Sequence, residues 1–132
     1  MGRWRPAERG AAVVDFVLVS ILLIALLLGV VQVGVYVHVR NVLAASAAAG
    51  ARYGAGANVR SPGAGAAKAA DVVHLALGAR VSDNTTCVGR LAAGAGGTTL
   101  VRVDCSARVP VLLSWLGPLR PIQVTARSLE EG

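Results

Sequence analysis

This chain is organised around one apolar stretch, residues 10–39, which reads GAAVVDFVLVSILLIALLLGVVQVGVYVHV. After Asp15, residues 16–39 contain no formally charged side chain when His38 is counted as neutral. As a helix with a rise of 1.5 Å per residue, this segment extends about 36 Å, whereas the hydrocarbon core of a bilayer is about 30 Å thick. The sequence therefore predicts a membrane-spanning helix near the N-terminus.

A short basic leader precedes this stretch. Arg3, Arg5 and Arg9 outweigh Glu8, and the positive-inside rule then predicts a cytoplasmic N-terminus and a C-terminal part outside the membrane. The carboxylate of Asp15 is costly at membrane depth unless it reaches the interface or a positive partner. We therefore expect a specific partner for Asp15, and an interfacial carboxylate stabilised by the helix dipole is the alternative.

A removable secretory signal competes with the membrane-helix interpretation. The small residues at positions 44–49 could supply a signal-peptidase site. The apolar core of a signal peptide has about 7 to 15 residues, which is shorter than the uncharged segment in this chain. The length of the segment therefore favours a helix that stays in the membrane.

The membrane helix is predicted to continue beyond the bilayer. Residues 40–53 favour helix and include no proline, so one helix is expected from about residue 11 to residue 53. Small residues spaced four apart let helix backbones approach closely in lipid, although an Ala-rich helix also produces such pairs by chance. The candidate helix-packing pairs are Ala25 with Gly29, Ala44 with Ala48, Ala47 with Ala51, and Gly50 with Gly54.

The rest of the chain is predicted to form a small α+β domain. Residues 64–77 have apolar positions at helical spacing, and Gly78 is a plausible C-cap. Residues 98–109 alternate between apolar and polar side chains, as a half-buried strand does. Two further strand candidates are residues 122–127 and a less regular segment within residues 80–91. We expect an antiparallel sheet with a helix on one face.

These elements predict four regions along the chain. They are a leader at 1–10, a membrane helix with its extension at 11–53, a Gly- and Pro-containing linker at 54–63, and an extracytoplasmic domain at 64–132.

The two cysteines, Cys87 and Cys105, would lie opposite each other in a hairpin centred on Gly96. A disulfide is the expected state outside the cytoplasm, and closing this loop would contribute about 3 kcal/mol. Two buried thiols are an alternative. A metal site is a weaker one, because His38 lies at the bilayer edge and His74 alone cannot complete a tetrahedral site with the cysteines.

The sequence gives no support for catalysis, a cofactor or nucleic-acid binding. The chain lacks a G-x-S-x-G motif, and its glycine-rich segment at 89–97 lacks the Lys-Ser/Thr of a phosphate-binding loop. The formal charge is +6, but the basic residues beyond the leader are dispersed and the aromatic residues number only five. Nucleic-acid binding needs a denser local cluster of both.

The segment ERGAAVVDFVL, residues 8–18, resembles the start of TadE-like proteins, the minor pilins or pseudopilins of the tight-adherence (Flp-type) pilus machinery. Their pattern is a basic leader, Arg-Gly, a few small apolar residues, Glu-Phe and then a membrane helix. The resemblance implies that a prepilin peptidase cuts between Gly10 and Ala11. It also implies that Asp15 and Phe16 occupy the positions of the family's Glu-Phe pair, with the shorter Asp in place of Glu.

The resemblance further implies a function in assembly. The implied partners are other pilins, pilus assembly membrane proteins and the lipid bilayer, and the chain itself would perform no chemistry. Cleavage would create an α-amino group at Ala11, one helical turn from Asp15, for pairing within the chain or with a neighbouring subunit. The alternatives are an uncleaved, single-pass surface or secretion-accessory protein whose outer domain binds another protein, and a secreted enzyme released by a signal peptidase.

Overall fold

The computed structural model describes residues 6–109, 117 and 120–130, with side chains described from Gly10 onward. Arg3 and Arg5 of the predicted leader lie outside the described residues. The predicted α+β class is confirmed. The elements in chain order are α1 (Pro6–Ala55), α2 (Pro62–Leu77), α3 (Ala79–Ser82), β1 (Thr85–Ala93), β2 (Thr99–Ala107) and β3 (Ile122–Leu129).

Helix α1 is longer than predicted at both ends. It begins at Pro6 instead of near Ala11, because proline suits the first turn of a helix and the residues that follow favour helix. It ends at Ala55, and the backbone N–H of Gly56 then donates to the carbonyl oxygens of Arg52 and Tyr53. The peptide bond between Gly10 and Ala11 therefore lies inside a helix.

Residues 1–34 form one compact unit, whose described part is the first half of α1. Its large apolar side chains, from Val13 to Val33, are between 36% and 73% exposed. By length and composition this helix can cross a membrane. Since a helix that is apolar on all sides is stable only when lipid or protein surrounds it, this half of α1 is suited to a membrane anchor.

Residues 35–132 form the second compact unit, which includes the rest of α1. Its three strands make an antiparallel sheet in the order β1-β2-β3. Cys87 of β1 is registered with Cys105 of β2, and Cys105 with Val124 of β3. The β1–β2 turn contains Gly96 and Gly97 at φ values of 70° and 79°, which favour glycine. The hairpin is thus centred on Gly96, as the sequence predicts.

The structure refines the bounds of the predicted secondary structure. Helix α2 begins at Pro62 because the side chain of Ser61 accepts a hydrogen bond from the N–H of Ala64, which caps the helix. Gly78, at a φ of 75°, caps its other end. The irregular strand candidate at 80–91 is divided between the single turn α3 and the strand β1, whereas β3 extends to Leu129.

The core of this second unit lies on one face of the sheet. Every second residue of β2 is buried there, from Val101 to Ala107. The facing helices contribute small and medium side chains, among them Leu43 and Ala47 of α1 and Val73 of α2. Residues 35–55, which the sequence assigns to the membrane helix and its extension, are therefore part of the core of this unit.

Candidate assembly site on the N-terminal helix

The predicted processing site, Gly10 and Ala11, is exposed within α1. A Cβ at Gly10 would meet no other atom within 4 Å. Glycine in a helix interior is about 1 kcal/mol less favourable than alanine. The described fold therefore provides no packing reason for glycine at position 10, where glycine weakens the helix relative to alanine.

Asp15 and Phe16 are both exposed, and Phe16 is 73% exposed. Asp15 lies four residues after Ala11, and residues at this spacing are neighbours on one helix face. In the described part of the chain the ion pairs are Lys68–Asp71 and Arg102–Asp104. Neither of them involves Asp15, so its carboxylate is available for a group outside the described residues.

Of the candidate packing pair in the apolar half of α1, Ala25 is exposed and Gly29 is half-buried. A Cβ at Gly29 would have no atom within 4 Å. Within the described part of the chain, no atom therefore packs against Gly29. Their small size leaves a shallow surface that another helix could approach.

The remaining small-residue pairs of α1 separate into two groups. Ala44 is exposed and Ala48 is half-buried. By contrast, Ala47 with Ala51 and Gly50 with Gly54 are buried against α2 and the sheet. The sequence did not distinguish these groups, since their spacing is the same.

Cys87 and Cys105 are joined by a disulfide, with their Cα atoms 4.1 Å apart. This agrees with the sequence prediction, and no cysteine in the described part is free. The bond links β1 to the central strand β2. It is a structural link within the sheet.

A polar network lies on the sheet face opposite the core. Asp104 Oδ1 accepts hydrogen bonds from Thr125 Oγ1 at 2.6 Å and from Arg102 Nε at 3.0 Å. The Thr125 bond, the Arg102 bond and the positive charges of Arg102 and Arg90 lower the pKa of Asp104 against the opposing effect of desolvation. Sequence alternation places Arg102 and Asp104 on a polar face, but their cross-strand partners depend on the register.

The described residues contain no group of three or more His, Cys, Asp and Glu side chains that could hold a metal ion. The two histidines are both exposed and lie on different helices, His38 on α1 and His74 on α2.

The comparisons with known proteins bear on α1. The model of the family described as TadE-like protein matches residues 10–52, about a third of the chain. This range includes the predicted processing site, the Asp15-Phe16 pair, and the packing pairs of α1 up to Ala51. No curated protein and no solved structure matches. The resemblance predicted from residues 8–18 is thus confirmed over residues 10–52, where the chain is similar to TadE-like proteins.

Proposed function

We propose that this chain is a minor pilin-like subunit that acts in the assembly of a tight-adherence pilus through helix packing. The observation that carries the proposal is that α1, which the TadE-like family model matches over residues 10–52, has two different halves. From Val13 to Val33 its large apolar side chains are exposed, whereas its later part is packed into a folded unit. In such a subunit, the first half of α1 can pack with other helices in the membrane, and the folded unit can lie outside it.

In the proposed topology the basic leader is cytoplasmic and the unit formed by residues 35–132 lies outside the membrane. The charge of Arg3, Arg5 and Arg9 supports this orientation. The disulfide supports it independently, because disulfides persist in oxidising compartments outside the cytoplasm.

The leader is proposed to be removed by a prepilin peptidase between Gly10 and Ala11. A peptidase has to reach the backbone, and the bond lies at an exposed position of α1. The low helix propensity of Gly10 eases the local unwinding that access requires. The absence of a packing role for Gly10 in the described fold supports recognition of this glycine by another protein.

After cleavage, the new α-amino group of Ala11 is proposed to pair with Asp15, either in the same chain or in a neighbouring subunit. Pairing offsets the cost of placing a carboxylate at membrane depth. Aspartate is one methylene shorter than the family's glutamate, so its reach is shorter by about 1.5 Å. Pairing between neighbours would fix the axial register of packed helices.

The contacts between subunits are proposed to use the small residues of α1 that the chain leaves accessible. Ala25 and Gly29 would pack in the membrane, and Ala44 and Ala48 would pack beyond it. Close approach of backbones at small residues is the usual basis of helix association in lipid. The proposed partners are other pilins and the membrane proteins of the assembly machinery.

The alternative is an uncleaved, single-pass anchor whose outer unit binds another protein. One observation favours it: α1 passes through Gly10 and Ala11 as continuous helix from Pro6. In that case the leader stays as the first turns of the anchor, and Asp15 never faces a new amino group.

The proposal is tested by intact-mass analysis and N-terminal sequencing of protein extracted from the membrane of cells that carry the pilus machinery. Ala11 is the expected first residue, and Gly10→Leu should leave Met1 in place. Gly34→Leu is the matched control, because a Cβ at Gly34 also meets no atom within 4 Å. An intact Met1 in the parent chain would support the anchor, and a start near residue 46 would contradict both.

A further inference from the structure

Three arginines form one row across the sheet. The register pairs Arg90 of β1 with Arg102 of β2, and Arg102 with Arg127 of β3. All three lie on the face opposite the core, since their strand neighbours Gly89, Val103 and Ala126 lie on the core side. Adjacent strands are about 4.8 Å apart, so the three Cα atoms fall within about 10 Å of sheet width.

This arrangement is unfavourable for the isolated chain. Like charges directly opposite each other on neighbouring strands are destabilising. Asp104 is bonded to Arg102, and neither Arg90 nor Arg127 belongs to an ion pair in the described part of the chain. The row and this carboxylate together carry two net positive charges, and Arg90 and Arg127 are both exposed.

The rows on either side of the arginines differ in chemistry. On one side the register aligns Ala92, Leu100 and Leu129, and Leu129 is 61% exposed. On the other side the register aligns Val88, Asp104 and Thr125, and the row beyond it aligns Thr86, Ser106 and Gln123. These two rows, together with Arg90 and Arg102, line a shallow groove of about 280 Å³. The face therefore offers an apolar row, a row of positive charge, a mixed row that contains the carboxylate of Asp104, and then a row of hydroxyl and amide groups.

We propose that this open sheet face binds an acidic segment of another protein. Carboxylates of the segment would pair with Arg90 and Arg127, since a guanidinium group binds a carboxylate through two parallel hydrogen bonds. Apolar side chains beside those carboxylates would contact Leu100 and Leu129. The inference goes beyond the proposed assembly role of α1, because it does not depend on cleavage at Gly10 or on helix packing.

An anionic lipid surface is less suited to this face. A headgroup layer would satisfy the arginines, but it would also bring anionic groups toward Asp104 and leave the apolar row without a partner. A polypeptide can place carboxylates and apolar side chains at separate positions. Charge complementarity together with the adjacent apolar row thus favours a protein segment.

The test uses the full chain in a nonionic detergent and a fluorescein-labelled peptide of Leu-Glu-Glu repeats, with binding followed by fluorescence anisotropy. The parent chain should bind this peptide and should not bind the matched peptide of Leu-Gln-Gln repeats. Arg90→Gln combined with Arg127→Gln should weaken binding by about tenfold or more, as expected for the loss of charge-assisted hydrogen bonds. The control is Arg52→Gln with Arg80→Gln, which removes the same charge from exposed positions outside the row.

Three outcomes would overturn the inference. One is equal binding of the glutamate and glutamine peptides, and another is equal loss of affinity in the row variant and in its control. The third combines two results: the chain does not bind the glutamate peptide, but in phosphatidylcholine nanodiscs it captures phosphatidylglycerol vesicles. If the row variant with Arg90→Gln and Arg127→Gln loses that capture, the face binds lipid and not a protein segment. Preserved hydrogen-exchange protection of β2 in the row variant would show that any lost binding does not result from unfolding.

Discussion

Gly50 of α1 and Gly65 of α2 lie in direct backbone contact. A Cβ placed on Gly65 would come within 2.6 Å of the carbonyl oxygen of Gly50, and a Cβ placed on Gly50 would overlap the carbonyl oxygen of Gly65. Gly54 and Ala69 continue the contact by one turn on each helix. A small-residue pair that could serve association between chains is therefore used here to pack two helices of one chain.

Gly50→Ala should destabilise the unit formed by residues 35–132. The new methyl group would press on Gly65 and on Ala69 Cβ, and overpacking of this kind costs about 1–3 kcal/mol. The gain in helix propensity of about 1 kcal/mol offsets only part of that cost. The expected net loss is up to about 2 kcal/mol, measured as faster hydrogen exchange of the β2 amides.

Gly63→Ala in α2 is the matched control for this substitution. A Cβ there would make only an ordinary contact, 3.9 Å from Ser61 Oγ. It should leave the exchange rates unchanged or lower. Equal exchange in the Gly50 and Gly63 variants would show that the backbone contact between α1 and α2 is not tight.

Most of the fold could be predicted from periodicity, but the buried face of α1 could not. The pairs Ala44–Ala48 and Ala47–Ala51 have the same composition and spacing, so no local signal separates the more accessible pair from the buried one. The distinction arises from residues distant in sequence, because Ala69, Val73 and Val101 complete the core around one face. Tertiary packing of this kind is absent from the pattern of α1 itself.

The functional features, too, could be predicted only in part from the sequence. The disulfide and part of the arginine row follow from one register, because a hairpin centred on Gly96 also pairs Arg90 with Arg102. The alignment of Arg127 depends on the β2–β3 register, which nothing in the sequence fixes. The roles of Gly10, Ala11, Asp15 and Phe16 rest on family resemblance and stay predictions, since they concern groups outside the described chain.

Thr125→Val should lower stability in a pH-dependent way. The Thr125 hydroxyl is the largest of the influences that lower the pKa of Asp104. A carboxyl group with a lowered pKa stabilises the fold above its unfolded pKa of about 3.9, and this contribution is lost as the pH falls through the folded value. We expect a loss of about 1 kcal/mol at pH 7 that shrinks toward pH 2, measured by urea titration with circular dichroism. Thr86→Val, an equivalent change at another exposed position of the same face, should show no such pH dependence.

Replacing both cysteines, Cys87→Ala with Cys105→Ala, should lower the free energy of unfolding by about 3 kcal/mol, because the bond closes a loop across a sequence separation of 18. The same urea titration measures the change. Reduction of the parent chain should produce nearly the same loss. Alkylation of the denatured, unreduced parent should label no thiol, and two labelled cysteines would remove the basis of this prediction.

Asp15→Ala should impair incorporation of the chain into pili while leaving its membrane insertion intact. The substitution removes the carboxylate that the proposed amino group requires, without making the helix less apolar. Asp15→Glu should incorporate at least as well as the parent chain, since it restores the longer reach. The readout is the ratio of subunit in sheared pili to subunit in membranes, with exposed Asp71→Ala as control. Normal incorporation of Asp15→Ala would exclude the pairing.

Leucine substitutions at Ala44 and Ala47 should separate assembly from folding. Ala47 is fully buried in the core, so Ala47→Leu should destabilise the unit of residues 35–132 by about 1–3 kcal/mol and expose the β2 amides to exchange. Ala44 is exposed three positions earlier on the same helix, so Ala44→Leu should leave exchange unchanged.

If Ala44 and Ala48 form a contact between subunits, Ala44→Leu should nevertheless reduce incorporation into pili, because the larger side chain keeps the backbones apart. Normal incorporation of a stably folded Ala44→Leu chain would restrict the proposed packing surface to the membrane half of α1, around Ala25 and Gly29.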